Sequence, residues 1–256
     1  MTNFKYQANS PSPSPSPQGR GKLRLAIFDI DGTIFRSSLV IELSHALVES
    51  GVFPARAKKE IQKEYVDWLN RKGSYEAYIN KVVKIYVKYI KGKKFASVNI
   101  IARGVISIHK DRVYRFTRDL IKNLKKQGFF LVAISGSPSY IVEEYAKTIG
   151  FDKFYGTELE IKNGKFSGNV LNLDSAFHKA KILKTLAAFY KADLSQSVAV
   201  GDTQSDVPML SLVGRPIAFN PNLELAKIAK RKKWKIVVER KDVIFEITNS
   251  KLQILK

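Results

Sequence analysis

The stretch that decides the fold is LRLAIFDIDGT, residues 23–33. A short apolar run bounded by glycine predicts a buried β-strand. Two aspartates follow it one residue apart, and buried carboxylates destabilise a protein unless a partner such as a bound cation compensates them. Because side chains alternate along a strand, Asp29 and Asp31 are expected to face the same side, at the sheet edge where open α/β folds bind ligands. The structural alternative is that the pair only caps the strand.

Length and composition limit the class of protein. The chain has 256 residues, which suits one large α/β domain or a core domain with a smaller one. It has no cysteine, so disulfides and cysteine-based zinc sites are excluded. The sequence has no apolar run of the ~18 residues that a transmembrane helix needs, and no secretory signal. We therefore expect a cytoplasmic location.

The chain is strongly basic, with 44 lysines and arginines against 23 acids and a formal charge of +21. Such a balance is typical of proteins that bind nucleic acid, an anionic membrane or an anionic substrate. The basic residues are dispersed, with local clusters at residues 91–94 and 230–233. Since the sequence contains no recognisable RRM, KH or zinc-finger pattern, we favour a solvated lysine-rich surface and expect no specific nucleic-acid partner.

Patterning along the chain predicts three regions. Residues 1–21 contain a Ser-Pro repeat and are expected to form a disordered arm. Residues 37–112 carry only helical patterns, which predicts a helical domain inserted into the fold. In residues 22–36 and 113–256 strands alternate with helices, which predicts a parallel, Rossmann-like sheet covered by helices on both faces.

Polar side chains follow three of the predicted strands. Asp29 and Asp31 end the first strand, Ser135 and Gly136 the second, and a Gly-Asp-x-x-x-Asp segment at residues 201–206 the third. In a parallel sheet these ends meet at one edge. Converging carboxylates suit a hard cation such as Mg²⁺, whereas a hydroxyl, backbone amides and a lysine suit phosphate. One carboxylate can then attack phosphorus and form an aspartyl-phosphate while a second carboxyl group moves the proton.

These motifs, in this order, resemble those of the haloacid dehalogenase (HAD) superfamily, in particular its phosphoserine-phosphatase-like branch, subfamily IB. The resemblance extends from about residue 22 to residue 245. It rests on the Asp-x-Asp-Gly-Thr segment at 29–33, on Ser135-Gly136, on Lys179 and on the segment at 201–206. It implies a HAD-like α/β core and identifies the helical insert as a C1-type cap that closes over the site.

The resemblance also implies roles for individual residues. Asp29 would be the nucleophile and Asp31 the general acid and base. The Mg²⁺ ligands would be Asp29, Asp202 and the backbone carbonyl of Asp31, with Asp206 supporting the metal site. The groups that hold the phosphoryl group would be Ser135, the Gly136 amide and Lys179.

The implied activity is that of a Mg²⁺-dependent phosphatase. Its substrate would be a small phosphorylated metabolite, a class that includes phosphoserine-like compounds. In phosphoserine phosphatases a glutamate after the first motif reads the substrate amine, but here that region is residues 35–39, with Ser38 near the expected place. The substrate therefore stays open, as does the oligomeric state. Two alternatives also stay open: phosphotransfer to an alcohol, and binding of nucleic acid or an anionic membrane on an inactive HAD scaffold.

Overall fold

A sheet of eight strands lies at the centre of the computed structural model, which describes residues 22–171, 175–248 and 251–255. The predicted Ser-Pro arm lies outside these residues. The strands in chain order are β1 (Leu25–Asp29), β2 (Phe130–Pro138), β3 (Lys153–Thr157), β4 (Leu159–Lys162), β5 (Lys165–Val170), β6 (Val198–Gly201), β7 (Arg215–Phe219), β8 (Lys235–Arg240), β9 (Val243–Thr248) and β10 (Lys251–Leu255). The order across the sheet is β3-β2-β1-β6-β7-β8-β9-β10, and β4 and β5 form a separate hairpin.

Six of the eight strands run parallel, and β9 and β10 add an antiparallel edge. The parallel Rossmann-like sheet is therefore confirmed. Strands β3, β9 and β10 were not predicted from the sequence pattern.

Helices cover both faces of the sheet, as predicted. They are α1 (Leu39–Glu49), α2 (Ala55–Leu69), α3 (Tyr75–Ile90), α4 (Phe95–His109), α5 (Arg115–Lys126), α6 (Ser139–Ile149), α7 (Ser175–Tyr190), α8 (Val207–Leu210) and α9 (Leu223–Arg231). Strand β1 is buried along its whole length. Its Ala26 and Phe28 pack into the apolar cluster under α1 to α6, whereas Leu25 and Ile27 pack into the cluster under α7 to α9.

Strand register brings the polar strand ends together. Asp29 lies beside Ile134 of β2, one residue before Ser135. On the other side of β1, Phe28 pairs with Val200, two residues before Asp202. All three polar segments therefore leave the sheet at the same edge.

Four helices, α1 to α4, occupy residues 37–112, where the sequence predicted a helical insert. Their apolar side chains belong to the same cluster as Ala26 and Phe28 of β1, so the insert and this face of the sheet share one core. The division into a cap and a core domain stays a prediction. Among the described residues, every helix is too short or too polar to span a bilayer.

Candidate active site

Three buried acids form the centre of the candidate site. Asp29 ends β1, and Asp202 and Asp206 lie in the turn after β6. One carboxylate oxygen from each lies within 4.8 Å of the others. Such a set of converging oxygen atoms fits a hard divalent cation, because Mg²⁺ binds carboxylates in preference to nitrogen or sulfur.

Lys179 of α7 lies between two of these acids. Its Nζ donates to Oδ1 of Asp29 and to Oδ1 of Asp206, at 2.6 Å in each case. Lys179 is only 4% exposed, whereas Lys181 and Lys184 of the same helix are exposed. The structure therefore brings to the acids Lys179, the lysine that the family resemblance identifies.

The electrostatics of the cluster favour a bound cation. Burial raises the pKa of Asp29 to about 7; the Lys179 ammonium opposes this rise, while Asp206 and Asp31 add to it. Burial, followed by the charges of Asp29 and Asp206, raises the pKa of Asp202 well above its ordinary value. Burial would lower the pKa of Lys179, but Asp206 and Asp29 outweigh it and raise that pKa. A divalent cation among these carboxylates would take the place of the protons they retain.

Asp206 organises the acidic turn. Its Oδ2 accepts hydrogen bonds from the backbone N–H groups of Asp202, at 3.0 Å, and Thr203, at 3.1 Å. Gly201 allows this approach, since a Cβ there would lie 2.5 Å from the Asp206 carboxyl group. Because both oxygens of Asp206 already have donors, its contacts fit the supporting role that the resemblance implied.

Asp31 has different surroundings. Strand β1 ends at Asp29, so Asp31 lies in the following turn and strand alternation does not set its direction. Its Oδ1 accepts from the Leu39 amide at the start of α1, at 2.5 Å. Its Oδ2 accepts from the hydroxyls of Ser135, at 2.5 Å, and Ser137, at 2.9 Å. Asp31 is half-buried, which leaves it open to solvent or substrate.

The C-terminal end of β2, residues 135–138, supports Asp31. The Ser135 Oγ accepts from the Ser137 amide at 2.9 Å, and the Ser137 Oγ accepts from the Val40 amide at 3.2 Å. Gly136 between them is exposed. Ser137 thus joins Asp31 to α1; the sequence pattern does not predict this contact, because Asp31 and Ser137 are 106 positions apart.

Gly32, in the turn after β1, lies against Asp202. It has a φ of +80°, and a Cβ at this position would lie 2.2 Å from Oδ2 of Asp202. Glycine is therefore required for two reasons: the left-handed backbone and the contact between the turn after β1 and the acidic turn after β6.

Comparison with known proteins gives consistent matches. The sequence profile of the haloacid dehalogenase-like hydrolases matches residues 26–211. A phosphoserine phosphatase of Archaeoglobus fulgidus is 28% identical over 207 residues, which are 80% of this chain but only 55% of that protein. A histidinol-phosphatase of Neisseria meningitidis serogroup C is 26% identical over 220 residues, which are 83% of this chain and 97% of that protein.

Solved structures show the same architecture. One, described as a phospho-aspartyl intermediate analogue of phosphoserine phosphatase, superimposes with a TM-score of 0.61 at 24% identity. The match covers 87% of this chain and 96% of the other. At this level of identity the likeness confirms the fold.

Proposed function

The chain belongs to the haloacid dehalogenase-like hydrolase family, and on this premise we propose that it is a Mg²⁺-dependent phosphatase that works through an aspartyl-phosphate. The observation that carries the proposal is the buried cluster of Asp29, Lys179, Asp202 and Asp206 next to the half-buried Asp31. Burying this many charged groups lowers the stability of the folded state, and such destabilising clusters are typical of functional sites.

Asp29 and Asp31 have separate tasks in this proposal. An oxygen of Asp29 attacks phosphorus, and the bond between phosphorus and the substrate oxygen breaks while Asp31 gives its proton to the leaving alcohol. Water then attacks the same phosphorus, Asp31 takes its proton, and the bond to Asp29 breaks. Lys179 fixes the Asp29 carboxylate through its hydrogen bond, and the Leu39 amide and the two serine hydroxyls fix Asp31.

The Mg²⁺ ligands would be Asp29, Asp202 and the carbonyl of Asp31, with Asp206 in support. The acids fit this ion because they supply buried oxygen donors within 4.8 Å of one another. When bound, the ion would offset negative charge on the phosphoryl group. Ser135, the Gly136 amide and Lys179 are the proposed phosphate-binding groups.

The proposed substrate is a small phosphomonoester. The relatives are named as phosphatases of phosphoserine and of histidinol phosphate, two amine-bearing metabolites. In this chain Ser38 is buried at the start of α1, and the exposed Arg36 lies over the Tyr114 ring, 5.4 Å from its centre. Neither side chain would pair with an ammonium group, so the substrate need not share that amine. A cytoplasmic location remains part of the proposal.

The test is a screen of the purified protein with Mg²⁺ against phosphorylated metabolites, phosphoserine and histidinol phosphate among them. We expect turnover of at least one compound, and we expect Asp29→Asn to abolish it while the fold is retained. Asp119→Asn is the matched control, because Asp119 is an exposed acid paired with Arg118. Full activity of Asp29→Asn on p-nitrophenyl phosphate would show that the mechanism is wrong.

A further inference from the structure

The first turn of α3 touches the acidic turn of the candidate site. The Glu76 carboxylate accepts a hydrogen bond from the side-chain amide of Gln204, and the two residues are 128 positions apart. Gln204 lies between Asp202 and Asp206 in the turn that carries both acids. Glu76 thus connects the helical insert directly to the turn after β6.

Gln204 is held at its other end as well. Its Oε1 accepts from Nδ2 of Asn222 at 2.5 Å. The backbone N–H of Asn222 donates to the carbonyl of Asp202 at 2.8 Å, and its Oδ1 accepts from the Leu225 amide of α9 at 3.0 Å. A continuous line of hydrogen bonds therefore runs from α3 through Gln204 and Asn222 to the backbone of Asp202.

The Glu76–Gln204 contact is not what holds α3 in place. Further along the helix, Tyr78, Val82 and Tyr86 are buried in the main apolar cluster. Glu76 itself is exposed. Loss of the contact should therefore free the first turn of α3 without unfolding the helix.

The residue beside Glu76, Tyr75, lies within electrostatic range of two acids of the candidate site. Burial, and after it the charges of Asp202 and Asp31, raises the pKa of Tyr75. Tyr75 also packs edge-on against Trp68 of α2, with ring centres 5.2 Å apart. Any movement of the first turn of α3 would therefore change the surroundings of Trp68 and the position of Tyr75 relative to Asp202 and Asp31.

We propose that Glu76 and Gln204 are positioning residues. Their hydrogen bond fastens the N-terminal end of α3 to the acidic turn after β6, so that the positions of this helix end and of Asp202 depend on each other. The effect on turnover rests on the proposed phosphatase function. The contact itself does not, and it can be measured without catalysis.

The experiment is an exchange of the two partners. Gln204→Glu places two carboxylates against each other, and we expect kcat/KM with p-nitrophenyl phosphate to fall about tenfold. Glu76→Gln combined with Gln204→Glu restores an amide facing a carboxylate and leaves Asn222 a carboxylate to donate to. We expect this double variant to recover most of the loss. Because both variants carry a carboxylate at position 204, recovery shows that this carboxylate is tolerated once its partner on α3 is an amide.

Trp68 provides the readout that needs no turnover. The chain has two tryptophans, so Trp234→Phe leaves Trp68 as the single reporter. In this background we expect Gln204→Glu to shift the Trp68 emission and the exchanged pair to return it to its starting value. An unchanged emission in Gln204→Glu, or a double variant as impaired as the single one, would overturn the proposal. An emission that follows the exchange in a protein without phosphatase activity would instead overturn only the proposed function.

Discussion

Gly32 shows how a single residue determines the geometry of the site. Its φ is +80°, and a Cβ at this position would lie only 2.2 Å from Asp202 Oδ2, so there is no room for a side chain. Two other site residues are similarly restricted: Gly201 lies against Asp206, and Lys179 bridges Asp29 and Asp206. The strand-end motifs singled out the acids, and the family resemblance singled out Lys179; the structure brings these residues together. The sequence did not predict the serine and amide contacts of Asp31, which come from distant segments.

Gly32→Ala tests this constraint. We expect it to lower kcat and Mg²⁺ affinity, because the added methyl group displaces Asp202, and to lower the free energy of unfolding by more than the roughly 1–2 kcal/mol of a left-handed residue. Gly51→Ala is the matched control, with a φ of +72° and nothing within 4 Å of the added Cβ. Thermal unfolding and a Mg²⁺ titration measure both effects. Equal losses in the two variants would contradict the close contact with Asp202.

The raised pKa of Asp29 predicts a pH dependence. In the metal-free protein Asp29 keeps its proton up to about pH 7, whereas the unfolded chain releases it near 3.8. The folded state therefore binds more protons across this window, and its stability should fall as the pH rises from about 4 to about 7. The proposed Mg²⁺ would compete with this proton for Asp29, so we expect the ion to raise Tm more at pH 8 than at pH 6. Melting curves with and without Mg²⁺ test this, and an equal Mg²⁺ effect at both pH values would argue against Asp29 as a ligand.

At the level of secondary structure, local pattern predicted the buried strands but not the edge strands. Strand β1 reads as a continuous apolar run because both of its faces are buried. Strand β3 is only half-buried, and its Gly156 lies against the start of α6, where a Cβ would be 2.6 Å from the Ser139 Cα. Strands β9 and β10 extend the sheet as an antiparallel meander, which the expected alternation of strands and helices does not include.

A buried pair of tyrosines joins two helices. The hydroxyls of Tyr86 in α3 and Tyr140 in α6 are hydrogen-bonded to each other, and both residues are buried. We expect Tyr86→Phe to lower the free energy of unfolding by about 1–3 kcal/mol, because it leaves the Tyr140 hydroxyl without its partner. The double change Tyr86→Phe with Tyr140→Phe should cost less than the sum of the two single changes. Denaturant unfolding measures the cycle, and strictly additive losses would show that the pair contributes no coupling.

At the scale of the whole molecule, the net charge and the sheet topology both bear on the proposed site. A formal charge of +21 attracts anions, so under the proposed function it would raise the rate at which a phosphomonoester meets the protein. The sheet then gathers acids and a lysine from segments far apart in the sequence at one edge. The convergence of the acids could be predicted, since the carboxyl ends of parallel strands lie at the same edge of a sheet. The contact between Glu76 and Gln204 could not, because it depends on how α3 packs against the turn after β6.

The most direct test of the central claim is to find the phosphoryl group on Asp29. Protein mixed with Mg²⁺ and p-nitrophenyl phosphate is quenched in acid, digested and examined by mass spectrometry, with Asp31→Asn included to slow the release of phosphate. We predict one added phosphoryl group on the peptide that contains Asp29, at higher occupancy in Asp31→Asn and absent in Asp29→Asn. Steady turnover with no phosphorylated peptide, or with the phosphoryl group on a different residue, would contradict the account.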